Sequence, residues 1–170
     1  MEERTGENVS ARELIGLLKD RNLTLTTTES LTGGLVAAML TDVPGASAVF
    51  RQGFVTYCNE AKNHLLHVKK STLDAYGAVS AETAREMAEN GAQITGSDIC
   101  ISLTGLAGPS SEEGKPVGLV YIGCCCKGKV TVRECRFSGS RSAVRTSAAE
   151  YALKLVSECV TAGLQIFWHG

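Results

Sequence analysis

Apolar residues recur three and four apart in SARELIGLLKDRN (10–22), where Leu14, Leu17 and Leu18 form one stripe. That is the spacing of an amphipathic helix. Ser10, followed three residues later by Glu13, supplies a capping box at its start. LTLTTTE (23–29) is short and rich in β-branched residues, which predicts a strand, and GGLVAAMLTDV (33–43) reads as a helix ending before Pro44. AVFRQGFVTYC (48–58) predicts a second strand. Asn59 is placed to cap a short helix, EAKNHLLH, and Ser80 a longer one, AETAREMAENGAQITG. The second half carries three strand-like runs, DICISLTGLAG, VGLVYIGCCC and KVTVRECRF, separated by turns rich in Gly, Pro and Ser. SGSRSAVRTSAAEYALKLVSECV (138–160) then closes the chain as a helix, with Val144, Ala148, Tyr151, Leu155 and Cys159 near one face. TAGLQIFWHG (161–170) has no clear pattern. Strands and helices alternate early and strands cluster late. The order predicts an α/β fold in three α/β/α layers around a mixed central sheet, as a single domain over 1–170 with its core at about 10–160.

Composition narrows the function classes. A chain of 170 residues and 18.0 kDa buries roughly 70% of its unfolded surface and needs no covalent staple. Its 17 basic and 18 acidic side chains leave a net charge of −1, without the basic field of a dedicated nucleic-acid binder. No run approaches the roughly 20 apolar residues of a membrane span, and MEERTGENVS is no signal peptide. A cytoplasmic protein is expected, with no nucleic-acid or membrane partner. Seven cysteines, an odd number without a CxxC pair, argue against a disulfide framework or a zinc site. Cys124, Cys125 and Cys126 sit in an apolar strand, where cysteine packs as a small hydrophobe. A metal or redox role is the alternative for these three.

Four stretches carry candidate chemistry. In TTTESLTGG (26–34), Ser30 lies between a strand and a helix. A helix N-terminus there would stabilise both its alkoxide character and the oxyanion it generates, while Gly33 and Gly34 permit close backbone approach. Simple helix capping by Ser30 or Thr32 is the other reading. The histidines, His64, His67 and His169, suggest no Ser–His–Asp arrangement. Lys62 is the other candidate base. With Asn59 as cap it falls at the third helical position, where the dipole and any burial would lower its pKa; a solvated surface lysine is the alternative. Tyr57, just before it, is placed to share a proton. In SGSRSAVR (138–145), Arg141 falls in a first helical turn and Arg145 follows four residues on along the same face, which suits a phosphate site or surface ion pairs. In SLTGLAGP (102–109), Thr104 and the amides from Gly105 to Gly108 either line a crevice at a strand's carboxyl end or form a structural turn.

Together, TESLTGG, the PGAS…GFVTYCNEAK run, GAVSAETAREMAENGA, SLTGLAGP, KPVGLVYI and FSGSRSAVR resemble, in order, the CinA carboxy-terminal domain, the nicotinamide mononucleotide amidohydrolases. The resemblance covers about residues 10 to 160. It implies hydrolysis of the carboxamide of nicotinamide mononucleotide to nicotinate mononucleotide and ammonia, in pyridine-nucleotide salvage, without cofactor or metal. It implies Ser30 as nucleophile, Lys62 as base and Tyr57 as its hydroxyl partner. Thr104, Gly105 and Gly108 match the family's second active-site loop, and Arg141 and Arg145 its basic pair; Thr32, Gly33 and Gly34 join them as substrate-binding positions. Two-domain CinA proteins carry a further pyrophosphatase-type domain, for which 170 residues leave no room. The sequence departs from the family pattern at Leu31, where cysteine is usual, and at SSEEG (110–114), where a glycine-rich segment is usual. Those departures keep open a catalytically silent nucleotide-binding module, or an amidase for another small carboxamide. A homo-oligomer, first of all a dimer, is expected from size alone.

Overall fold

The computed structural model describes residues 8–165. Five strands form one sheet in the order β2-β1-β3-β4-β5: β1 (Leu25–Glu29), β2 (Phe50–Val55), β3 (Ile99–Gly105), β4 (Leu119–Cys126) and β5 (Lys129–Arg136). β1 runs parallel to both β2 and β3, whereas β4 and β5 are antiparallel additions. The sheet is therefore mixed, as expected. Lys127 and Gly128, at φ +49 and +80, make the tight two-residue turn of the β4–β5 hairpin, whose backbone twist suits antiparallel strands.

Side-chain alternation on β3 explains why helices cover both faces. Ile99, Ile101 and Leu103 join the main core with α1 (Ala11–Asp20), α2 (Leu35–Thr41) and α6 (Arg141–Gln165). Leu14, Leu18, Val36, Leu40, Val144 and Leu155 supply the facing side chains. Cys100 and Ser102 point the other way, toward α5 (Ala81–Thr95), where the Ser102 hydroxyl donates to the Ala84 carbonyl at 2.7 Å. Each fully buried Leu or Ile in such a core contributes about 1.5–3 kcal/mol. A short 3₁₀ turn, Ala46–Ala48, leads into β2. α3 (Asn59–Leu66) and α4 (Lys70–Tyr76) pack on α5, with Leu66, Val68, Leu73 and Met87 as their shared core. Gly91 lets α5 approach the sheet, because a Cβ there would meet Cys100 Sγ and Thr28 Cγ2 at 2.6 Å.

The Ser10–Glu13 capping box and the Ser80 cap form as the sequence predicts. Three local expectations change. α4 had no sequence signal, since it lacks a side-chain cap. Cys58, not Asn59, caps α3, its Sγ accepting from the Ala61 N–H at 3.4 Å. α6 runs through Gln165, beyond the boundary at 160; residues 166–170, including His169, lie outside the described residues. Among those described, no helix is long and apolar enough to cross a membrane.

Candidate active site

Ser30 follows β1 directly and continues its ladder, the Ser30 N–H donating to Leu103 O at 2.9 Å. On the other side the Thr56 N–H donates to Glu29 O at 2.8 Å. The chain passes from β1 to β2 on one flank and later to β3 on the other. The crevice beyond the carboxyl ends of these strands is where open α/β sheets take ligands. A cavity of about 420 Å³ opens there, walled by Ser30, Leu31, Tyr57, Asn59, Lys62, Thr104 to Ser110, Glu112, Glu113 and Arg141 among others.

The positive end of α2 does not serve this cavity. Glu29, wholly buried, turns its carboxylate onto the helix and accepts from the Val36 N–H at 2.9 Å and the Ala37 N–H at 3.1 Å. Neither Ser30 nor Thr32 caps α2, and the expectation that its free amides hold an anion is corrected: a protein carboxylate already occupies them. Residues 31–34 make the turn, with Gly33 at φ +60 and Gly34 at φ +101, values glycine adopts without a Cβ penalty. Thr32 is buried, and Thr32, Gly33 and Gly34 stand off the cavity wall.

Lys62 arrives from α3. Because Cys58 is the cap, Lys62 is the fourth helical residue, and its N–H already closes a helical bond to Cys58 O at 3.1 Å. The residue is only 1% exposed, and its side chain is the largest fully buried one among the described residues. Nζ lies 2.9 Å from Ser30 Oγ and 2.8 Å from the Thr56 carbonyl. Burial pushes the ammonium pKa down from 10.5 to about 8, against smaller opposing pulls from Cys58 and Glu113. The helix dipole expected from sequence is thus not the main cause; desolvation is. An amine half-neutral near pH 8 and fixed on a serine hydroxyl is equipped to take its proton.

The remaining predicted residues divide. Tyr57 is 62% exposed, and its hydroxyl accepts from Arg141 Nη2 at 2.8 Å, so its hydrogen bond is to the arginine and not to the Lys62–Ser30 pair. Arg141 also donates through Nη1 to Gly108 O at 2.6 Å and lines the cavity. Arg145 does not. Its Nε donates to Leu31 O at 3.0 Å and its Nη2 to Thr32 O at 2.9 Å, fastening the turn that carries Ser30. Of the two arginines that suited a phosphate site or surface ion pairs, Arg141 is a cavity residue and Arg145 a turn clamp.

Thr104, Gly105 and Gly108 line the cavity, Thr104 with its hydroxyl donating to Ala78 O at 2.7 Å. The amides of Leu31, Ala107 and Gly108 donate to no protein acceptor among the described residues and are available to a bound group. His64 and His67 are exposed and off the wall. Cys124 and Cys125 are buried and Cys126 half-buried, and no group of three metal-ligating side chains occurs among the described residues.

Sequence reading missed Glu113. Its carboxylate accepts from the Ala78 N–H at 3.1 Å, the Val79 N–H at 3.4 Å and Lys115 Nζ at 3.2 Å. Burial alone would raise its pKa, but the bonds from Ala78, Lys115 and Val79 outweigh that and leave it lowered. The atypical SSEEG segment thus closes one wall with a fixed anion. Its only signal in the sequence was the departure from a glycine-rich loop.

The comparisons agree with this architecture. The CinA C-terminal domain model matches residues 7–160. A Clostridium novyi (strain NT) relative, named for a competence-damage inducible protein, is 49% identical over 92% of this chain and 39% of its own length. The chain therefore spans well under half of such curated relatives. Among solved structures, the competence/damage inducible protein CihA from Agrobacterium tumefaciens superposes with a TM-score of 0.84 at 38% identity, covering 87% of this chain and 92% of that one. A CinA superfamily protein from Klebsiella pneumoniae gives 0.86 at 33% identity over 91% and 99%. With its described core, its ordered motifs and these relatives in agreement, the chain belongs to the CinA C-terminal domain family.

Proposed function

We propose that this domain is an amidohydrolase that removes ammonia from the carboxamide of nicotinamide mononucleotide, using Ser30 as nucleophile and Lys62 as base. The observation that carries the reading is the 2.9 Å approach of a buried lysine, its pKa lowered to about 8, to a serine on the wall of a 420 Å³ crevice. Neutral Lys62, steered by the Thr56 carbonyl, accepts the hydroxyl proton as Ser30 Oγ bonds to the carboxamide carbon. The tetrahedral oxyanion is met by free amides such as those of Ala107 and Gly108. Lys62 ammonium then protonates the leaving nitrogen, the C–N bond breaks, and ammonia departs from an acyl-serine. Water, deprotonated by the same amine, releases the acid and restores Ser30.

The cavity lining carries both signs of charge that the substrate needs: Glu112, with Glu113 already shared by Lys115, favours the pyridinium cation, and Arg141 favours the phosphate. Tyr57, bonded to Arg141, orients the guanidinium instead of relaying a proton. Ammonia release from nicotinamide mononucleotide by the native protein, Ser30→Ala and Lys62→Ala tests the proposal. Both variants should fall by several powers of ten. Binding of the nucleotide by the native protein without ammonia release would sink the enzyme and leave the silent-module reading.

A further inference from the structure

A second cavity, about 470 Å³, opens between the β4–β5 hairpin and the last turns of α6, at the opposite end of the sheet from Ser30. Leu155, Ala162 and Cys126 give it an apolar lining, while among the described lining residues Lys127, Lys129 and Arg133 set three cations against the one carboxylate of Glu158. Lys154, 3.9 Å away, already partners that carboxylate. Cys159 is half-buried and faces this space, and Cys124 is wholly buried behind it on β4. Thr131 and Arg133 line the same cavity as Cys159. A hydroxyl and a guanidinium on the wall that a thiol shares favour its thiolate, the form that reacts.

Chiefly through the Cys124 thiol, against burial, and then through Thr131 and Arg133, with Glu158 opposing, the Cys159 pKa falls to about 7. Cys124 is pushed the other way by the same contact and by its burial, so it keeps its proton. Burial raises Cys126 as well.

We propose that Cys159 is a site of thiol–disulfide exchange with an anionic low-molecular-weight disulfide. The Cys159 thiolate attacks one disulfide sulfur; a new S–S bond forms, the original one breaks, and the other half leaves as its thiolate. One thiolate replaces another, so no further oxidant or reductant takes part. The basic rim receives the carboxylates of the incoming molecule and the apolar lining its carbon skeleton.

Peptide-resolved mass spectrometry of the native protein, treated separately with glutathione disulfide and with cationic cystamine, tests this, with exposed Cys58 as internal reference. The expected result is a glutathione adduct on Cys159, with an anionic-to-cationic rate ratio about tenfold above that at Cys58. Arg133→Gln should slow the Cys159 reaction severalfold while leaving Cys58 unaffected. Cys159 unmodified once Cys58 is fully labelled, or an identical charge preference at the two sites, would overturn the proposal.

Discussion

Burial of the Lys62 amine makes a quantitative prediction about folding as well as catalysis. The pKa is about 8 in the folded protein and 10.5 when solvated. The unfolded chain therefore binds the proton more tightly, and stability rises with pH wherever the two states differ in protonation. At pH 7 and below, folding carries the full burden of that difference, roughly 3 kcal/mol. Between about pH 8 and 10.5 the burden disappears, as the unfolded state also releases its proton. Lys62→Met removes the titration while keeping an unbranched chain of similar volume. Urea unfolding of native protein and variant at about pH 7 and about pH 9.5 should show the native protein gaining roughly 2 kcal/mol on the variant over that interval. The lost bonds to Ser30 and Thr56 shift the variant equally at both pH values and drop out of the comparison. The same group should give kcat/KM a rise through about pH 8, with only about a tenth of the amine neutral at pH 7. A native-minus-variant difference that does not move with pH would refute the account of Lys62 as a buried amine forced toward neutrality.

The arginines should separate in kinetics. Arg141→Ala should raise KM for nicotinamide mononucleotide and hardly alter the reaction of phosphate-free nicotinamide riboside, whereas Arg145→Ala should lower kcat for both by loosening the Leu31 and Thr32 carbonyls. Glu29→Gln replaces the charged cap on α2 and should lower unfolding free energy by about 1–3 kcal/mol in denaturant titrations. Gly118→Ala should destabilise by about 2 kcal/mol or more by the same measurement, because φ there is +89 and the added Cβ would collide with the Phe137 carbonyl.

The sequence was most legible where local pattern and cap agreed. Ser10 with Glu13, and Ser80 ahead of a long apolar stripe, mark helices whose starts depend on nearby residues alone. α4 escaped notice because seven residues without a side-chain cap, burying only Thr72 and Leu73, give no periodic signal. Cys58 and Asn59 are both competent caps, and the extended backbone at Cys58, φ −119, decides between them. The site itself is harder to read, since its contacts cross the chain. Arg141 and Arg145 share a helix face, so spacing sends both to one ligand. Which one reaches the cavity depends on the position of a turn 114 residues away from Arg145. Glu29 shows the same limit: an acid before a strand-to-helix turn can face a ligand or its own helix, and only the folded turn discriminates. Ser30 and Lys62 were singled out because motif order and residue chemistry converged on the same two positions, and the fold sets their side chains 2.9 Å apart.

Ser30 leaves the sheet from β1, an interior strand, while Thr56, whose carbonyl steers Lys62, leaves it from β2, which has a neighbour on one side only. The proposed nucleophile and base thus meet across the outermost parallel seam of the described sheet. Fraying of that border would separate hydroxyl from amine while the helices and the central strands stayed intact. Loss of turnover on heating should therefore precede global melting, and it should coincide with faster amide exchange along residues 50–56.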